Sequence, residues 1–247
     1  MQCLRGRHRF IIRLCKREKY EINQARRLQM IGFYDYTVVL TYIGFASGIM
    51  GMFCATTKHL RLAVFFLALS GLCDMFDGKI ARTKKNRTEE EKSFGIQIDS
   101  LCDMVCFGVL PIMICFKMGM RHIYSMALLI LYGLAGVIRL GYFNVMEEKR
   151  QEETDENRKY YQGLPITSMA IALPVFVVFS PLLPNHQAFI VMLHFMVASV
   201  GALFVIDFKI RKLSAKELFL LVIAVAAAVA VILFIWRSWW NLLHFHG

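Results

Sequence analysis

The chain of 247 residues is 57% hydrophobic, with a mean hydropathy of +0.50, an apolar excess that excludes an ordinary water-soluble domain and points to a membrane protein. Its net charge of +11 comes from 29 Lys and Arg against 18 Asp and Glu. These charges form blocks between apolar runs and carry no recognisable docking element, which excludes nucleic acid as the partner.

The first block fills residues 1–34, where Arg5, Arg7, Arg13, Lys16, Arg17, Lys19, Arg26 and Arg27 face only Glu18 and Glu21. With Phe10, Ile11, Ile12 and Leu14 among them, residues 8–30 predict an interfacial helix on anionic lipid at the cytoplasmic face. The early apolar core of a signal peptide is missing, so the segment is expected to be retained. Seven apolar runs of about the 20 residues needed to cross a bilayer follow, at 36–56, 60–82, 95–118, 123–146, 164–183, 187–207 and 216–236. Trp236, Trp239 and Trp240 mark the last interface. The expected organisation is a basic segment over 1–34, a membrane core over 35–210 and an extra span with its tail over 211–247.

Placing the N-terminus inside puts loops 83–94, 147–163 and 208–215 in the cytoplasm. They carry most of the loop Lys and Arg, whereas the outer loops hold few, so the bias favours N-inside. The seven cysteines, at 3, 15, 54, 73, 102, 106 and 115, include no CxxC pair and lie mostly in apolar runs. They read as small hydrophobes and not as a disulfide or zinc framework.

The chemistry concentrates at the junction of the second and third runs. Asp74 and Asp77 are three apart, and Asp99 and Asp103 are four apart. Both spacings place the pair on one helical face. Asp74 and Asp77 sit late in an inward-running helix, and Asp99 and Asp103 early in its outward-running neighbour, so all four reach a similar depth near the cytoplasmic side. Intramembrane carboxylates are costly, roughly 2.5–3.5 kcal/mol each on insertion scales, and mark function by default. A single one often pairs with an arginine as a structural bridge, with Arg82 and Arg139 as the partners at hand. Four that repel one another call for protons or a bound cation. All-oxygen ligation suits Mg²⁺ or Mn²⁺, and four carboxylates suffice for two ions. Gly78 and Ala81 remove bulk on the same helix, so that a ligand or helix can approach. A cation-coupled transporter is the rival from another class, but acids clustered at one depth favour a site over a pathway.

These residues resemble the CDP-alcohol phosphotransferase family, whose signature is D-x2-D-G-x2-A-R, a short loop, then G-x3-D-x3-D. Asp74, Asp77, Gly78, Ala81, Arg82, Gly95, Asp99 and Asp103 match every fixed position. The connecting loop, 83–94, is some four residues longer than usual and is expected to bulge outward without moving the aspartates. Three further stretches are similar to the serine O-phosphatidyltransferase branch of that family. The first runs from Phe94-Gly95 through Asp99-Ser100-Leu101 and Asp103 to Phe107-Gly108-Val109 and Pro111. The second holds Ile138-Arg139-Leu140 and Phe143-Asn144-Val145, and the third Tyr161 and Gly163-Leu164-Pro165-Ile166. Departures are Cys106 for the usual serine, Tyr142 for a second arginine and Thr167 for a common proline.

The resemblance implies an all-α polytopic bundle with a six-helix core, one extra C-terminal span and the N-terminal interfacial helix. It implies transfer of a phosphatidyl group from CDP-diacylglycerol to L-serine with release of CMP, dependent on two Mg²⁺ or Mn²⁺ ions. Asp74, Asp77, Asp99 and Asp103 would bind the metals, with Asp103 also the catalytic base. Asp74, Gly78, Ala81, Arg82 and Gly95 would line the CDP-lipid side. Arg139 and Asn144 would hold the acceptor or a phosphate. Glycerol 3-phosphate and inositol are the alternative acceptors. A phosphorylated one should require a further basic cluster, so the lone Arg139 leans towards serine. A homodimer in membrane lipid is expected, in a bacterial cytoplasmic membrane with its active site facing the cytoplasm.

Overall fold

The computed structural model describes residues 35–81, 83–84, 88–153 and 160–211, together with Gly32, Ala227 and Ala230. The expected interfacial helix, Arg82, the span at 216–236 and the tryptophan anchors lie outside the described residues. The six runs between them form a helical bundle, and four of its helices are long and apolar enough to cross a membrane.

Helix α1, Tyr36–Thr56, starts at Asp35, whose carboxylate accepts from the Tyr36 N–H at 2.7 Å. Its buried face carries small residues, Thr41, Gly44, Ser47, Gly48, Gly51 and Ala55, at helical spacing. A stripe of this kind brings backbones close inside a membrane, where packing and hydrogen bonds replace the hydrophobic drive. Helix α2, Leu60–Ala81, uses that closeness: Ser70 donates to the Gly44 carbonyl at 2.9 Å, and Ser47 donates back to the Phe66 carbonyl at 3.0 Å. Every 18-residue stretch of α2 holds three charged residues, among them both Asp74 and Asp77.

The third run is longer than its hydropathy predicts. Helix α3, Glu89–Asp103, begins inside the segment read as a loop, because Thr88 and Glu91 form a reciprocal capping box. The connecting loop therefore shrinks to 82–88, and α3 extends the span by more than a turn. A π turn over Met104–Val109 follows, then α4, Leu110–Met118, which stops at Gly119. Helix α5, Ile123–Glu153, also overruns its predicted end. A 3₁₀ turn at Ile166–Ser168, helix α6 at Met169–Phe179 and a second 3₁₀ turn at Ser180–Leu182 make the fifth pass, with Pro165 just before its first turn. Helix α7, His186–Val205, is capped by the Asn185 side chain.

Strands β1, Tyr160–Gln162, and β2, Lys209–Arg211, pair antiparallel and are the only strands among the described residues. The Gly163 N–H donates to the Phe208 carbonyl at 2.7 Å, and the Leu164 N–H to the Leu203 carbonyl at 3.2 Å. At the same end the Tyr36 hydroxyl meets Thr83 at 3.0 Å, and Ser93 and Gln97 donate to Glu148 at 3.4 and 3.2 Å. The loops expected on one side of the membrane thus share one end of the bundle. The core lies between the helices, where Leu67, Leu110, Ile114, Met169, Leu173, Leu193 and Val197 are fully buried. Helices α2 and α6 touch closely: a Cβ on Gly71 would lie 2.5 Å from that of Ala170.

Candidate metal and substrate site

Three of the four predicted aspartates converge. Asp74 from α2 and Asp99 and Asp103 from α3 each present a carboxylate oxygen, and these lie within 4.8 Å of one another. Asp77 lines the same small cavity but stands outside that triad. It is 7% exposed and accepts a hydrogen bond from the Thr41 hydroxyl at 2.9 Å. With one oxygen of Asp77 occupied by a neutral donor, the carboxylate is held in orientation without its charge being cancelled.

Thr41 is the site residue that sequence reasoning missed. Its signal was a hydroxyl on the small-residue stripe of α1, one turn before Gly44. The cavity walls also include Ser70, Cys102, Cys106 and Phe107. All five described cysteines are free, as their reading as small hydrophobes requires. Cys106, at a position where the resemblance leads one to expect serine, seats against α1, where a Cβ on Gly48 would come within 2.5 Å of its sulfur.

The residues predicted for the lipid side flank this cluster. Gly78 is exposed, and a Cβ built on it would meet nothing within 4 Å. Among the described residues, no neighbouring helix approaches there. Ala81 closes α2, and Gly95 is half-buried on α3 one turn before Asp99. Just past α2, Lys84 bridges Asp35 at 2.8 Å and Glu91 at 3.1 Å, joining the first turns of α1 and α3. The hydrogen bonds it donates to Asp35 and then to Glu91 push the Lys84 ammonium above its ordinary pKa.

On the acceptor side, Arg139 is 6% exposed, far from the snorkelling geometry that a helix-end arginine can adopt. Its Nε donates to the Leu164 carbonyl at 3.0 Å, and its guanidinium lies 5.8 Å from the Phe143 ring centre. Gly163 supports this contact. Its φ of +69° lies in the left-handed region, and a Cβ there would sit 3.1 Å from the Ile206 carbonyl. Asn144 bridges two helices: its carbonyl accepts from Ser100 at 2.6 Å, and its amide donates to Gln97 at 3.3 Å. Asn144 is therefore a tie between α3 and α5.

The donor set fits a divalent cation. The triad supplies only oxygen ligands, and like charges this close at membrane depth need a counter-charge. Comparison with known proteins agrees. The family model described as CDP-alcohol phosphatidyltransferase matches residues 37–243, a divalent-metal-dependent family. The chain is 32% identical over 162 residues to the CDP-diacylglycerol–serine O-phosphatidyltransferase of Saccharomyces cerevisiae, covering 63% of this chain and 56% of that protein. It is 32% identical over 160 residues to the Helicobacter pylori (strain 26695) protein of the same name, covering 64% and 61%. It is 29% identical over 139 residues to the archaetidylserine synthase of Methanothermobacter thermautotrophicus, covering 56% and 55%. The matched stretch thus spans less than two thirds of each relative. With the model match running through the aspartate cluster and most of the bundle, the chain belongs to the CDP-alcohol phosphatidyltransferase family.

Proposed function

We propose that this protein is a phosphatidylserine synthase, which moves the phosphatidyl group of CDP-diacylglycerol to L-serine and releases CMP. The observation that carries the reading is the convergence of Asp74, Asp99 and Asp103 in one cavity, beside the open face at Gly78. The names of the relatives support serine as the acceptor. Two Mg²⁺ or Mn²⁺ ions bound among Asp74, Asp77, Asp99 and Asp103 would stabilise charge on the attacking and leaving oxygens. Asp103 takes the proton of the serine hydroxyl through proximity. The serine oxygen forms its bond to the lipid-side phosphorus as the bond from that phosphorus to the oxygen of CMP breaks. Gly78, Ala81, Arg82 and Gly95 line the CDP side. Arg139 and Asn144 form the acceptor side, where the guanidinium complements the serine carboxylate or a phosphate. The site faces the cytoplasm, in keeping with the Lys and Arg bias of the loops at its end of the bundle, and the protein works as a homodimer in membrane lipid.

The test is CMP release by purified protein given CDP-diacylglycerol, Mn²⁺ or Mg²⁺, and one of serine, glycerol 3-phosphate or inositol. Release that depends on metal and serine is the expected result. Release only with another alcohol would reassign the acceptor. Ion flux without any CMP release would overturn the enzyme reading in favour of the transporter.

A further inference from the structure

Between Asp103 and Pro111 the third span leaves α geometry. Over Met104–Val109 the chain forms a π turn, and the Leu110 N–H reaches back five residues to the Val105 carbonyl. The wider turn holds one extra residue, so everything after it is rotated by about 100° relative to Asp99 and Asp103. In an α-helix the N–H of residue 111 would satisfy the Phe107 carbonyl, but Pro111 has none to give. That carbonyl belongs to a residue only 1% exposed, and a buried carbonyl needs a donor.

The donor comes from another helix. The Tyr132 hydroxyl of α5 reaches the Phe107 carbonyl at 2.6 Å. Tyr132 is itself 2% exposed, and its ring centre lies 5.5 Å from that of Phe204 on α7. The Tyr132 backbone runs beside Gly201, where a Cβ would sit 3.5 Å from the Tyr132 Cα. The hydroxyl is therefore aimed by packing that does not involve the aspartates. Cys106 and Phe107, inside the π turn, line the same cavity as Asp99 and Asp103.

We propose that Tyr132 is a positioning residue of the metal site. By holding the Phe107 carbonyl it maintains the π turn, and the π turn sets how Asp103 and Asp99 enter the cavity opposite Asp74. Without the hydroxyl, the carbonyl must find a donor along its own chain; Pro111 offers none, so the turn must shift to bring the Ile112 N–H or water to it. The inference rests on the reading of the aspartate triad as a metal site.

The test is Mn²⁺ binding to the full-length purified protein without substrate, read from the electron paramagnetic resonance of the free ion, beside thermal unfolding. Tyr132→Phe keeps the ring packing and removes the hydroxyl. It is expected to weaken Mn²⁺ binding by about tenfold, the lower range for losing an outer partner of a metal ligand, with little change in unfolding temperature. In the CMP-release assay it should need more Mn²⁺ while its KM for serine stays unchanged. Pro111→Ala supplies an N–H that competes for the same carbonyl, and should weaken Mn²⁺ binding without loss of stability. A Tyr132→Phe titration that superimposes on wild type overturns the proposal. So does a fall in Mn²⁺ affinity that only tracks a fall in unfolding temperature while Pro111→Ala binds normally. Wild-type protein that takes up no Mn²⁺ overturns the metal site and this inference together. Mn²⁺ uptake weakened by both variants, without CMP release from wild type, supports the positioning role and defeats the proposed reaction alone.

Discussion

The two halves of the third span are one continuous helix in hydropathy and two different devices in structure. Glu89–Asp103 is tied to its neighbours by directed bonds: Ser100 and Gln97 to Asn144, and Gln97 and Ser93 to Glu148. Leu110–Met118 is held by close packing, with Leu110, Ile114 and Cys115 fully buried. Hydrogen bonds fix the direction of a side chain, whereas packing fixes the place of a helix. The half that must aim carboxylates uses the first, and the half that must anchor them uses the second.

Variants on either side of the π turn should therefore fail differently. Asp103→Asn should lower CMP release by about 10²–10⁴-fold, the range for a lost acid–base group, while the unfolding temperature holds or rises, because one of several crowded like charges has gone. An Asp103→Asn protein with unchanged rate would sink the base assignment. Ile114→Ala should do the reverse, lowering stability by about 2–5 kcal/mol through the void it leaves and leaving Mn²⁺ affinity intact; denaturant or thermal unfolding in detergent measures the first, and an Mn²⁺ titration the second. Asn144→Leu removes ties between α3 and α5. It should cost about 1 kcal/mol, the net worth of a typical hydrogen bond, and disturb KM for serine more than stability. Lys84→Ala is the smallest test. Its bridges to Asp35 and Glu91 are near the bundle surface, where ion pairs contribute little, so neither unfolding temperature nor CMP release should change measurably. A large effect on catalysis there would show that the cavity is also aimed from its loop.

Much of this was legible from residue order. The six core passes and the depth of the aspartates follow from apolar run length and from spacings of three and four. The motif that carries the family match lies on the predicted pair of helices. What escaped was set by contacts between helices. Asp77 could be placed in the site, but not on the Thr41 hydroxyl, because nothing in the order of residues brings α1 to α2 in that register. The Thr88–Glu91 box was readable as a helix start, yet the run of glutamates made it look like loop. Pro111 hinted at a break in hydrogen bonding, but the donor that answers it comes from α5. Asn144 and Arg139 were visible as polar residues at helix ends. Their partners, Ser100, Gln97 and the Leu164 carbonyl, needed the tertiary structure.

The short pairing of β1 with β2 has a consequence for biogenesis. All four aspartates have been synthesised once residue 103 has left the ribosome. The turn on which Arg139 rests is closed only when Gly163 meets Phe208 and β1 meets β2. During vectorial insertion the nascent chain thus holds its four aspartates well before the turn under Arg139 is complete, so the two regions mature at different times.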